Sequence, residues 1–139
     1  MHPKLVEELI AEEVERVRAN DLLRDRVQLE QRGRRVLAWA YRADGEVLFA
    51  FDGPNYNAEP FHFTVLDPQS EQPLAVSDWP AGLAFGGPHP TLGRAWTCLR
   101  GTYEYHCHSS HLEDDWDQHR YALDLPTLLG QILKKSGCS

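Results

Sequence analysis

Four short apolar or alternating stretches follow one another between residues 27 and 66, directly after an amphipathic helix pattern. That order constrains the fold more than any other feature of the chain. In the first stretch Val27, Leu29 and Gln31 alternate with polar residues before a turn at Gly33. The second, Val36 to Tyr41, is apolar and aromatic. Ala43-Asp44-Gly45 then marks a hairpin, because Asp-Gly supplies the positive φ values a tight turn needs. Val47 to Phe51 is the third stretch. The fourth, Phe61 to Leu66, puts His62 and Thr64 on one face and Phe61, Phe63 and Val65 on the other. These stretches predict a four-stranded antiparallel meander.

Residues 3 to 19 predict the helix before it. Leu5, Val6, Leu9, Ile10, Val14 and Val17 recur at helical spacing, with Glu7, Glu8, Glu12, Glu13 and Glu15 on the other faces. His2-Pro3 suits a first turn, where proline is tolerated. Residues 125 to 135 predict a closing helix with Leu125, Leu128, Leu129, Ile132 and Leu133 as its apolar face. Asp124 or Asp117 is a candidate cap, and Gly137 follows the end. Between the meander and that helix, Asp67 to Gly93 reads as a long ordered loop rich in Pro and Gly, with Trp79, Leu83 and Phe85 as candidate anchors. Trp96 to Leu99 and Thr102 to Tyr105 read as short extended pieces. The pattern is α+β, and 139 residues suit a single domain, 1–139, with one modest core.

The net charge of −7 argues against a non-specific nucleic-acid binder, which needs a surplus of Lys and Arg to neutralise phosphates. Arg24, Arg26, Arg32, Arg34 and Arg35 do cluster, as a solvated strand edge or as a docking patch for an acidic partner. No apolar run is long enough to span a bilayer, and the N-terminus does not read as a signal peptide. With three cysteines and no secretory signal, reduced thiols in the cytoplasm are expected.

Cys98 is the cysteine with a defined setting. It follows the turn His89-Pro90-Thr91-Leu92-Gly93-Arg94. Upstream lies Gly53-Pro54-Asn55-Tyr56-Asn57-Ala58-Glu59-Pro60-Phe61, and downstream lies Trp116 before the closing helix. In this order the chain resembles the ubiquitin-conjugating (E2) family, and within it the compact E2-like proteins of bacterial ubiquitin-like pathways. There an HPN tripeptide precedes the catalytic cysteine, a YPxxPP-like turn precedes a core strand, and a Trp precedes the crossover helix. The resemblance runs from about Leu5 to Lys135. It implies a UBC-like fold with a long active-site loop. It implies that Cys98 carries a ubiquitin-like modifier protein as a thioester, loaded by an E1-like activating enzyme that meets the first helix, where Lys4, Arg16 and Arg18 lie. It also implies, loosely, a role in antiviral defence. His89 would brace the active-site turn. Thr91 stands where the family has Asn, the His-to-Cys spacing is slightly short, and the stretch from Cys98 to Trp116 is longer than usual.

That longer stretch holds Tyr103-Glu104-Tyr105-His106-Cys107-His108-Ser109-Ser110-His111, followed by Asp114 and Asp115. If 105 to 108 is extended, His106 and His108 share one face and Cys107 takes the other. Three readings of the histidines stand side by side. The histidines do acid-base work beside Cys98, His106 and His108 foremost, with Asp114 or Asp115 orienting them; His106, His108 and His111 hold Zn²⁺; or the segment is a polar surface loop. Cys98 itself is either a nucleophile or a small buried hydrophobe. The alternatives for the whole chain are therefore a zinc-binding enzyme or module, or an inactive E2-like scaffold for which Thr91 speaks.

Overall fold

The computed structural model describes residues 2–85 and 87–138. Helix α1 spans Pro3–Arg18. His2 Nδ1 accepts the Lys4 amide at 3.1 Å and caps its start. Val6, Ile10, Val14 and Val17 are buried along one stripe, as the spacing predicts, while Leu5 lies outside it and is 55% exposed.

Strands β1 (Val27–Arg32), β2 (Arg35–Arg42), β3 (Gly45–Asp52) and β4 (His62–Leu66) form an antiparallel sheet in the order β1-β2-β3-β4. The pairing Arg42↔Gly45 closes the hairpin over Ala43 and Asp44; the positive φ expected of Asp-Gly falls on Gly45 alone, at 136°. The period-2 pattern sends Ala38, Phe49, Phe51, Phe63 and Val65 to the core they share with the helices. Phe61 falls just outside β4 and instead bridges Thr102. After a single helical turn, α2 (Tyr103–His106), the chain ends in α3, Leu125–Ser136. Asp124 Oδ1 accepts the Thr127 amide at the start of α3, and Gly137 closes it at φ 72°, a conformation that only glycine adopts at low cost. All five leucine and isoleucine positions of the expected apolar face are buried. The architecture is thus α+β: an N-terminal helix, a four-stranded antiparallel meander and a C-terminal helix. Among the described residues no helix is long and apolar enough to cross a membrane.

Two expectations need correction. Thr102 to Tyr105 is not extended. The Thr102 hydroxyl accepts the Tyr105 amide and starts α2, so His106 and His108 do not share one face of a strand. Phe85 does not anchor the long loop in the core. It is 45% exposed and leans on Trp96 at 4.8 Å between ring centres, whereas Trp79 and Leu83 are buried.

The loop after β4 also crosses the outer face of the sheet. Asp67 Oδ1 accepts the amides of Gln69 and Ser70, and Glu71 turns at φ 61°. Its carboxylate pairs with Arg32 on β1, the far edge strand, and Pro68 O accepts the Trp39 indole N–H. Beneath this strap Leu37, Leu48, Ala50 and Leu66 are fully buried in a second apolar cluster.

Candidate active site around Cys98

The segment that carries Cys98 is braced from behind by His89. Its imidazole is 1% exposed. Nδ1 accepts the amides of Thr91 and Leu92, both at 3.1 Å, so Nε2 carries the proton and donates to Glu104 O at 2.8 Å. The backbone of the turn closes in the same place: Gly93 donates to His89 O, and His89 donates to Arg94 O. Gly93 sits at φ 68°, which the turn requires. The resemblance assigned His89 a bracing role, and these bonds occupy both of its nitrogens. Thr91 contributes its backbone N–H to that brace, and its side chain is exposed.

Cys98 is half-buried, with Sγ 3.3 Å from His111 Nε2. Burial pushes its thiol above the ordinary cysteine value, and the charge of Lys135 on α3 pulls it back in part. The His111 ring lies flat on the Tyr105 ring, with centres 3.9 Å apart and planes 11° from parallel. The Tyr105 hydroxyl donates to Asp114 Oδ2 at 2.6 Å. Asp114 also takes His119 Nε2 at 2.6 Å and Arg100 Nε at 2.7 Å. These three donors, Tyr105 foremost, hold the Asp114 carboxyl well below the usual carboxylate range. Asp114 therefore stays an anion, and it fixes the tyrosine that sets the plane of His111.

The other expected residues lie elsewhere. His106 Nδ1 donates to Asp114 O at 2.8 Å, and its Nε2 accepts the Gly101 amide at 3.1 Å. Both nitrogens are spent on closing the loop from 101 to 114. Burial holds its pKa below the ordinary histidine value. His108 accepts the Ser110 amide on Nδ1 and stacks on Trp96 at 5.1 Å, so it caps a turn and packs. Asp115 caps the next turn by accepting the Asp117 amide, and the carboxylate that orients rings is Asp114. His111, one of the three histidines that the sequence offers for acid-base work or for metal binding, is the one that reaches Cys98. The set His106, His108 and His111 is split among these tasks. Among the described residues no group of three or more His, Cys, Asp or Glu side chains is arranged to hold a metal ion. The three cysteines are free thiols.

Sequence reasoning missed Tyr105 and Arg100, and it also missed Glu104, which is fully buried behind the His89 turn. Its carboxylate accepts the Phe63 amide and the Arg94 guanidinium, each at 2.8 Å, and ties α2 to β4. Burial drives its pKa upward. A glutamate between two tyrosines carries no local signal of burial. The one available hint was the Thr-x-x-Tyr capping geometry that starts α2.

Set against models of known protein families and against curated proteins, the chain matches none.

Proposed function

We propose that this chain is a single-domain, E2-like conjugating enzyme of UBC-like fold, which carries a ubiquitin-like protein on Cys98. The observation that carries the reading is the 3.3 Å contact between Cys98 Sγ and His111 Nε2, on a segment braced by His89. The order of helix, four-stranded meander, long loop, cysteine and helix supports it. In this reading an E1-like enzyme presents the modifier's C-terminal thioester. Cys98 Sγ attacks the carbonyl carbon, its proton passes to His111 Nε2, and the new S–C bond forms as the activating enzyme's S–C bond breaks and its thiolate leaves. A target amine then attacks the Cys98 thioester. An amide bond forms, the S–C bond breaks, and the proton that the amine nitrogen gives up ends on the departing Cys98 thiolate. His111 takes the acid-base role expected of His106 and His108, because a raised thiol pKa requires a base in contact. His89 and Thr91 hold the turn, and Asp114 rather than Asp115 steadies the base through Tyr105. The cytoplasm is the compartment that suits its free thiols.

The test is loading by an E1-like enzyme, ATP and a ubiquitin-like protein from the same genome, read on reducing and non-reducing gels. Wild type is expected to give a thiol-sensitive adduct. Cys98→Ser is expected to lose it or make it thiol-resistant, and His111→Ala to slow it by about a hundredfold, the usual worth of a positioned base. An adduct that survives unchanged in Cys98→Ala overturns the proposal. No adduct from partners that work on another carrier favours a binding scaffold.

A further inference from the structure

The strap over the outer sheet face leaves a cavity of about 730 Å³ beside it. Its floor is the outward side of the sheet at Arg35, Asp52, His62 and Thr64. Its walls are the chain from Pro73 to Val76 and the flank of the His89 turn at Arg94 and Ala95. The volume lies within the range of pockets that enclose small organic ligands. Most of the lining is apolar, and its few polar groups are mainly donors. The Arg35 Nε–H is buried and makes no hydrogen bond. It lies 3.0 Å from Asp52 Oδ1 in an ion pair, but out of line for a hydrogen bond. Arg94 uses one terminal nitrogen on Glu104 and on His62 Nδ1, and its side chain is 44% exposed. Because His62 Nδ1 faces a donor, its proton sits on Nε2. Glu104 spends its oxygens on Phe63 and Arg94 and does not line the cavity. Each guanidinium of the lining has one carboxylate partner, Asp52 for Arg35 and the buried Glu104 for Arg94, and of the two carboxylates only Asp52 faces the cavity.

We infer that this cavity binds a small monocarboxylic acid with an apolar body. The carboxylate meets the Arg35 and Arg94 guanidiniums, and the body lies along Leu74, Ala75 and Val76. A planar monoanion fits the paired N–H groups of a guanidinium. Asp52 on the same floor repels a dianion such as a phosphate monoester more strongly than it repels a monoanion. The inference does not depend on the chemistry of Cys98.

The probes are sodium octanoate and octanamide, which share a chain and differ in the head. Each is titrated into the ¹⁵N-labelled full-length protein. Octanoate is expected to shift the amides of Thr64, Ala75 and Ala95 saturably, and octanamide to bind about tenfold more weakly or worse, as the loss of charge-assisted hydrogen bonds implies. Arg35→Met keeps an apolar stem, and is expected to weaken octanoate about tenfold and leave octanamide unchanged. Thr64→Phe fills the floor, and is expected to abolish both. No saturable shift, equal binding of the two probes, or unchanged octanoate binding in Arg35→Met overturns the inference. The arginine variant decides the matter alone if Thr64→Phe does not fold.

Discussion

Glu13 is where the burial of a single polar side chain holds three parts of the chain together, and its removal has a calculable consequence. Its side chain projects from α1 into the core, and the residue is 2% exposed. Oε1 accepts the Tyr56 hydroxyl at 2.7 Å and the Leu125 amide at 2.7 Å, so α1, the turn before β4 and the start of α3 meet on one oxygen. Glu13→Ala leaves both donors buried without an acceptor. Each orphaned donor costs about 2 kcal/mol, and the relief of a desolvated carboxylate returns roughly 1, for a net loss of about 3 kcal/mol. Glu13→Gln keeps an acceptor oxygen and is expected to cost about 1 kcal/mol at pH 7.

The pH dependence separates the two terms. Burial, the largest influence, raises the folded-state pKa of Glu13 above its ordinary value, against the pull of Leu125, Tyr56 and Arg16. The folded protein therefore holds the proton more tightly than the unfolded chain. The penalty of the buried charge is absent below the unfolded carboxyl pKa and fully present above the folded one. Between pH 7 and pH 5 wild type gains stability from this group, and Glu13→Gln, which does not titrate there, gains none. Urea denaturation of the three proteins at both pH values measures it. The reasoning is refuted if Glu13→Ala unfolds within 1 kcal/mol of wild type, or if the gap between wild type and Glu13→Gln moves against wild type as pH falls.

The thiol site has consequences of its own for alkylation. Alkylation of Cys98 by iodoacetamide, followed by peptide mass spectrometry to separate it from Cys107 and Cys138, is expected to rise with a midpoint above that of an unburied thiol, because burial disfavours the thiolate. Lys135→Gln removes the charge that opposes this shift and is expected to move the midpoint higher; a downward move would mean that Lys135 does not stabilise the thiolate. Tyr105→Phe keeps the ring under His111 and loses only the bond to Asp114, so alkylation at pH 7 is expected to stay within about threefold of wild type, whereas Tyr105→Ala removes the platform and is expected to cost about tenfold. Wild-type rates in Tyr105→Ala would mean that His111 is held by something else.

What the sequence determined by itself is what local patterns encode. The apolar stripe from Val6 to Val17, the Ala43-Asp44-Gly45 turn, the alternation of His62 and Thr64 against Phe63 and Val65, and the Asp124 and Gly137 caps are all set by residues a few positions apart. Periodicity and turn chemistry report such contacts directly. Cys98 stood out because its preceding turn has a recognisable composition, and the His89 brace within that turn is also short-range.

The tertiary structure decided which partners meet across long stretches of chain. Three histidines within six residues look equivalent in sequence. Their fates diverge because Thr102 starts a helical turn rather than a strand. That turn commits His106 to Gly101 and Asp114, His108 to Ser110, and His111 to Cys98. Glu13 reads as one of several glutamates on an exposed face, yet its partners lie 43 and 112 residues away. Glu71 reaches across the sheet to Arg32, and Glu104 disappears beneath Arg94. A buried carboxylate is tolerated only where donors converge on it. That convergence is a property of the packed elements, with no counterpart in the spacing of residues along the chain.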